Sequence, residues 1–136
     1  MKRIIYITND KVSNGVPNTE SVHIRDINSI INCSVDSIIC YVLEFVPAQE
    51  FADCLKSLLE KLRPNGFLLI AFTDFKFLCS KYASNNISDN DFLQNALNKI
   101  NIVSVDKIIG CLSPKYAISR VDGDGVLSVT IHRIEA

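Results

Sequence analysis

Two runs of almost unbroken apolar residues flank a segment with helical spacing, and no other feature constrains the fold as strongly. The first run is "DSIICYVLEFV", Asp36 to Val46, and the second is "FLLIAFT", Phe67 to Thr73. A strand wetted on one side alternates apolar and polar residues, whereas one in a parallel sheet is covered on both faces and reads as continuous. Between the runs, Phe51, Cys54, Leu55, Leu58, Leu59 and Leu62 recur at the period of one helix face, opposite Glu50, Asp53, Lys56, Glu60 and Lys61. Pro47 suits the first helical turn, where a missing N–H is harmless. Lys61 and Arg63 stand where cations favour the last carbonyls. Pro64 ends the helix and Asn65-Gly66 supplies a tight turn. Such a strand–helix–strand unit belongs in an open α/β sheet.

The flanking segments extend the pattern. "KRIIYIT" reads as a first strand and "VHIRDI" as a short second one, separated by the polar loop "NDKVSNGVPNTES", whose length points to function or disorder. Thr73 or Asp74 can cap a helix over "FKFLCSKYA". Ser88, three residues before Asp91, caps "SDNDFLQNALNKI", which places Phe92, Leu93, Ala96, Leu97 and Ile100 on one face. The tail reads as strands, "IVSVDKIIG", "YAISRV" and "VLSVTIHRI", the last two joined as a hairpin by "DGDG", Asp122 to Gly125.

Composition narrows the class. A length of 136 residues with 48% hydrophobic and 21% charged residues suits one compact domain, 1–136. A net charge of −1 without a Lys/Arg run disfavours nucleic acid. No apolar stretch approaches a membrane span, and no signal-peptide layout is present, so a soluble cytoplasmic protein is expected. Five cysteines without a Cys-x-x-Cys pair read as reduced and mostly buried thiols. His23 and His132 have no ligand at metal spacing, so no metal site is expected. "DGDG" lacks the later ligands of a calcium loop, since Val126 and Arg133 occupy those places.

The segment from Ser34 to Asp74 resembles the second half of class I S-adenosylmethionine-dependent methyltransferases, most of all the small ones associated with surface-glycan gene clusters. Asp36 stands where the fourth strand opens. Val42-Leu43-Glu44-Phe45 stands at the family's "vLEH" motif, and Leu62-Arg63-Pro64-Asn65-Gly66 at "LKPGG". The resemblance implies a single-domain, Rossmann-like α/β sheet. That sheet would be mostly parallel, with a C-terminal antiparallel hairpin, and would lack part of the N-terminal half. The family's first strand runs into a Gly-x-Gly-x-Gly loop, which lets backbone approach the cofactor without a Cβ in the way. Here "RIIYITNDKVSNGVPN" offers Gly15 alone, well past the strand. A second strand ending in a ribose-binding acid is also missing, Glu20 being the nearest acid, so the first helix and second strand are expected to be lost.

On the same resemblance the residues that could line a cofactor pocket are Asp26, Cys40, Tyr41, Glu44 and Phe45. Asp26 matches the acid that reaches the adenine amine, and is equally readable as a solvated loop residue. Tyr41 and Phe45 replace histidines, which removes a base. Two functions follow. One is a remnant methyltransferase fold without catalysis, serving as a binding or assembly module that self-associates or docks a protein at an open sheet edge. The other is a minimal enzyme binding S-adenosylmethionine in an altered pocket. An unrelated α/β domain with another strand order is the third possibility.

Overall fold

The computed structural model describes residues 2–97, 101–123 and 125–134. Among the described residues six strands form one sheet: β1 (Ile4–Thr8), β2 (Glu20–His23), β3 (Val35–Cys40), β4 (Leu62–Thr73), β5 (Tyr116–Asp122) and β6 (Val126–Arg133). Their order is β2-β1-β3-β4-β6-β5. The first four are mutually parallel, and β6 enters antiparallel between β4 and β5. This is the mostly parallel sheet with an antiparallel C-terminal hairpin that the sequence implies. The helices are α1 (Ala48–Glu60), α2 (Phe75–Ala83), α3 (Asp89–Leu97) and α4 (Val105–Cys111).

The central strand–helix–strand unit forms as its residues dictate. Pro47 precedes α1, which buries Phe51, Leu55, Leu58 and Leu59 against the sheet. Asn65 takes a left-handed φ of 67°, and Gly66 passes so close to neighbouring carbonyls that a Cβ would sit 2.9 Å from the Asp36 oxygen. Asp74 caps α2 by accepting from the Phe77 N–H at 3.2 Å, and the Ser88 hydroxyl accepts from the Asp91 N–H at 3.1 Å. In α3, Phe92 stacks on Tyr82 with ring centroids 4.3 Å apart, whereas Leu93 is exposed. Ile100 and Asp124 lie outside the described residues.

Two expectations are corrected. "IVSVDKIIG" holds a helix, α4: Ser104 caps it through the Lys107 N–H, and Ile108 enters the core, so capping and period 3.6 override β-branched propensity. "VHIRDI" gives a strand that ends at His23, followed by a 3₁₀ turn, Ile24–Ser29, capped by the His23 ring. The first apolar run leaves the sheet at Cys40, and Leu43–Phe45 forms another 3₁₀ turn. The reduced N-terminal half is as expected: β2 pairs directly with β1, and no helix stands between them. Only a loop, residues 9–19, joins the two.

The two faces of the sheet differ. On one, the row Ile5–Ile38–Leu68–Ile131 is fully buried beneath α1, α4 and the 3₁₀ turn that carries Ile27. On the other, the row Tyr6–Ile39–Leu69–Thr130 has a buried Tyr6 but half-buried Ile39 and Leu69. The row Ile4–Ser37–Phe67–His132 beside it leaves Phe67 36% exposed. No residue of α2 is buried, and its apolar side chains are not among those packed on the core. The continuous apolar runs therefore have one sealed face, not two.

Candidate functional site

Open α/β sheets bind ligands beyond the carboxyl ends of their parallel strands, here Thr8, His23, Cys40 and Thr73. At this end β1 turns upon itself. The Asn9 carboxamide oxygen accepts from the N–H groups of Lys11 at 2.9 Å and Val12 at 2.6 Å, while the Asn9 N–H donates to the Val12 carbonyl at 3.1 Å. Three backbone donors just after the strand, which a glycine loop would offer to a ligand, are thus held: Lys11 and Val12 by the Asn9 side chain, and Asn9 by the Val12 carbonyl.

Beside this turn Asp10 reaches His23. Its carboxylate lies 3.0 Å from the ring Nε2 and 3.6 Å from the Arg25 guanidinium. The ring Nδ1 accepts from the Arg25 backbone N–H at 3.1 Å. With Nδ1 accepting, the proton of a neutral ring sits on Nε2 and faces Asp10. These residues, with Asn9, Lys11, Ile24 and Phe45, line a cleft of about 340 Å³ over the ends of β1 and β2.

The five residues singled out in the sequence are dispersed. Asp26 is exposed in the 3₁₀ turn and is not among the residues lining that cleft; its backbone carbonyl accepts from the Ser29 hydroxyl at 2.6 Å. Cys40 is wholly buried, and burial pushes its thiol up to about 12, so it stays protonated and inert near neutrality. The Tyr41 ring meets Tyr6 edge-on, with centroids 5.8 Å apart. Burial, with Tyr41 alongside, raises the Tyr6 phenol above its ordinary value. Glu44 is 6% exposed; its carboxylate accepts the Thr73 backbone N–H, and its own carbonyl takes the Asn101 N–H at 3.1 Å. It ties the ends of β3 and β4 to the segment before α4. Glu44 lines a second cleft, of about 400 Å³, with Thr73, Asn101 and Lys107, whereas its neighbour Phe45 faces the first.

Glu20 lies at the opposite end of the sheet. It pairs with Arg3 through two contacts of 2.9 Å, which hold its carboxyl below the usual range. Sequence reasoning missed Asn9, Asp10, His23, Arg25 and Asn101. Asn9 directly after a strand was a readable turn signal, but nothing local ties Asp10 to a histidine thirteen residues on. All five cysteines are free, with Cys33 exposed. Among the described residues no group of three or more His, Cys, Asp or Glu could hold a metal, and no helix is long and apolar enough to cross a membrane.

Comparison places this geometry in a fold. No family model matches the sequence, and no curated protein matches it. Solved structures do. An S-adenosylmethionine-dependent methyltransferase from Archaeoglobus fulgidus superposes with a TM-score of 0.64 at 8% identity, over 96% of this chain and 86% of that one. One from Listeria monocytogenes gives 0.63 at 12%, over 98% and 92%. A chain from the complex between a Haloferax volcanii methyltransferase activator and a methyltransferase gives 0.65 at 8%, over 98% and 83%. The chain has the class I methyltransferase fold.

Proposed function

We propose that this chain uses a methyltransferase fold without the family's cofactor site and works as a binding or assembly module. The observation that carries the reading is the Asn9 turn. It holds the Asn9, Lys11 and Val12 donors that follow β1, and the Asp10–His23–Arg25 cluster stands over the same strand ends. Cys40 and Tyr41 support it too, one sealed and inert, the other engaged with Tyr6. The whole of 1–136 acts as one unit in this reading. Its partner is a second copy or another protein, met where outer elements are missing, and β2 and β5 end the sheet as open edges.

Calorimetric titration with S-adenosylmethionine and S-adenosylhomocysteine tests this. No saturable heat at millimolar ligand is expected. Saturable binding would overturn the reading in favour of a minimal enzyme, for which the cleft beneath Phe45 is the specific support. Asp26→Ala and Tyr41→Phe would then separate a pocket at the predicted residues from one built on Asp10, His23 and Arg25.

A further inference from the structure

We infer that the half-covered face of the sheet, the one bearing Tyr6, Ile39 and Leu69, seats a second copy of this chain. The inference rests on the assembly reading and moves the contact from the sheet's edge to its face. Three observations carry it.

The first is composition against burial. A sheet face meant for water alternates with polar residues, yet Ile4, Tyr6, Ile39, Phe67, Leu69 and Ala71 all point to this side, with the apolarity of a buried parallel strand. Phe67 is exposed and Ile4, Ile39, Leu69 and Ala71 are half-buried, in contrast to the sealed row beneath, where Ile5, Ile38, Leu68 and Ile131 are 0% exposed; the polar residues of the face are Ser37 on β3 and Ser128, Thr130 and His132 on β6. Parallel sheets need cover on both faces, and the helices among the described residues cover one.

The second is charge. The two registered rows crossing β1, β3, β4 and β6 contain no Asp, Glu, Lys or Arg. A partner selected by charge would meet nothing to pair with. A two-fold contact sets each residue against its own neighbourhood, and a neutral face escapes the like-charge cost that usually bars this. Charge appears at the rim, where Arg120 and Asp122 pair with each other on β5.

The third is area. Six strands at ~4.8 Å spacing and about seven residues long give a face of roughly 650 Å² in projection, before side-chain relief is added. A stable interface takes about 800 Å² of accessible surface per partner, about a tenth of the 7881 Å² this chain exposes. Two such faces packed as a sandwich approach what a standard dimer requires, with sheets ~10 Å apart.

Sedimentation velocity from about 1 to about 100 micromolar covers the weak, micromolar end of the range in which an interface of this size associates. The native chain is expected to pass from 15.2 kDa to twice that mass. Leu69→Lys and, at an already polar position, Thr130→Lys are expected to weaken association roughly a hundredfold by placing like charges across the two-fold. Circular dichroism and the urea midpoint of Thr130→Lys check that it still folds. A native chain monomeric throughout would overturn the inference. So would a folded Thr130→Lys that still dimerises, a result that leaves an edge contact, and with it the assembly reading, intact. Saturable cofactor binding strikes at that reading whether or not a dimer forms.

Discussion

Adding one methyl group at Gly66 and the same group at Gly110 should move stability in opposite directions. At Gly66 a Cβ would lie 2.8 Å from the Arg63 carbonyl oxygen, 2.9 Å from that of Asp36 and 3.3 Å from that of Val35. All three are backbone atoms at the irregular junction where β3 meets β4, so no side chain can swing away. Overpacking of this kind costs ~1–3 kcal/mol. Against it stands a gain of ~0.4–1 kcal/mol, because alanine has fewer unfolded conformations to lose. Gly66→Ala is therefore expected to destabilise by about 2 kcal/mol, which for a chain of this size lowers Tm by roughly 6–10 °C. Gly110, in α4, has nothing within 4 Å of its Cβ position. Gly110→Ala should keep the entropic gain and the helical preference, raising stability by up to ~1 kcal/mol. Urea denaturation followed by circular dichroism measures both, with unchanged slopes confirming that the midpoints report stability. A Gly66→Ala variant within about 0.5 kcal/mol of the parent, the range of an unconstrained surface change, would refute the close-approach argument.

Three more perturbations test other parts of the structure. The Arg3 backbone N–H, 2.7 Å from the Asp36 carboxylate, holds that group below its ordinary 3.8, with the Arg63 charge assisting. A depressed native value means that its contribution is fully present above 3.8 and drains as pH falls through the lowered one. Asp36→Asn should accordingly flatten the acid limb of a stability profile below pH 4 and change its shape little at neutrality. Asp74→Ala removes the cap of α2 and is expected to cost about 1 kcal/mol, with Asp74→Asn recovering most of it. In a thiol titration at mild alkaline pH, exposed Cys33 should react first. Cys40 and Cys54, pushed by burial up to about 12 and about 11, should wait for unfolding; early labelling of Cys40 would contradict its burial.

What the sequence disclosed was the part held by local chemistry. Pro47, Asn65, Gly66, Asp74 and Ser88 each perform a task that follows from their own stereochemistry, and the helix between the two apolar runs forms where its period places it. The "IVSVDKIIG" segment misled because β-branched residues suit either structure, and the Ser104 cap was overlooked. Residues contributed by separate loops stayed hidden, since Asp10, His23 and Arg25 meet only after β1 and β2 align in parallel. The open face was hidden as well. Apolarity in Ile39 and Leu69 says that something should cover them, and only the fold reveals that no helix among the described residues is buried on that side.

The insertion of β6 between β4 and β5 also sets the order in which the sheet can be completed. β4 acquires its outer neighbour from a strand that begins at Val126, after α2, α3, α4 and β5 have all been made. During synthesis its apolar edge stays unpaired, and Val129 and Ile131, both 0% exposed in the finished fold, are still absent from the core. Such late, non-local closure slows folding and prolongs exposure of a strand edge to other chains. The nascent protein is therefore most vulnerable to aggregation shortly before β6 emerges, and a chaperone acting at that stage would do most to raise its yield.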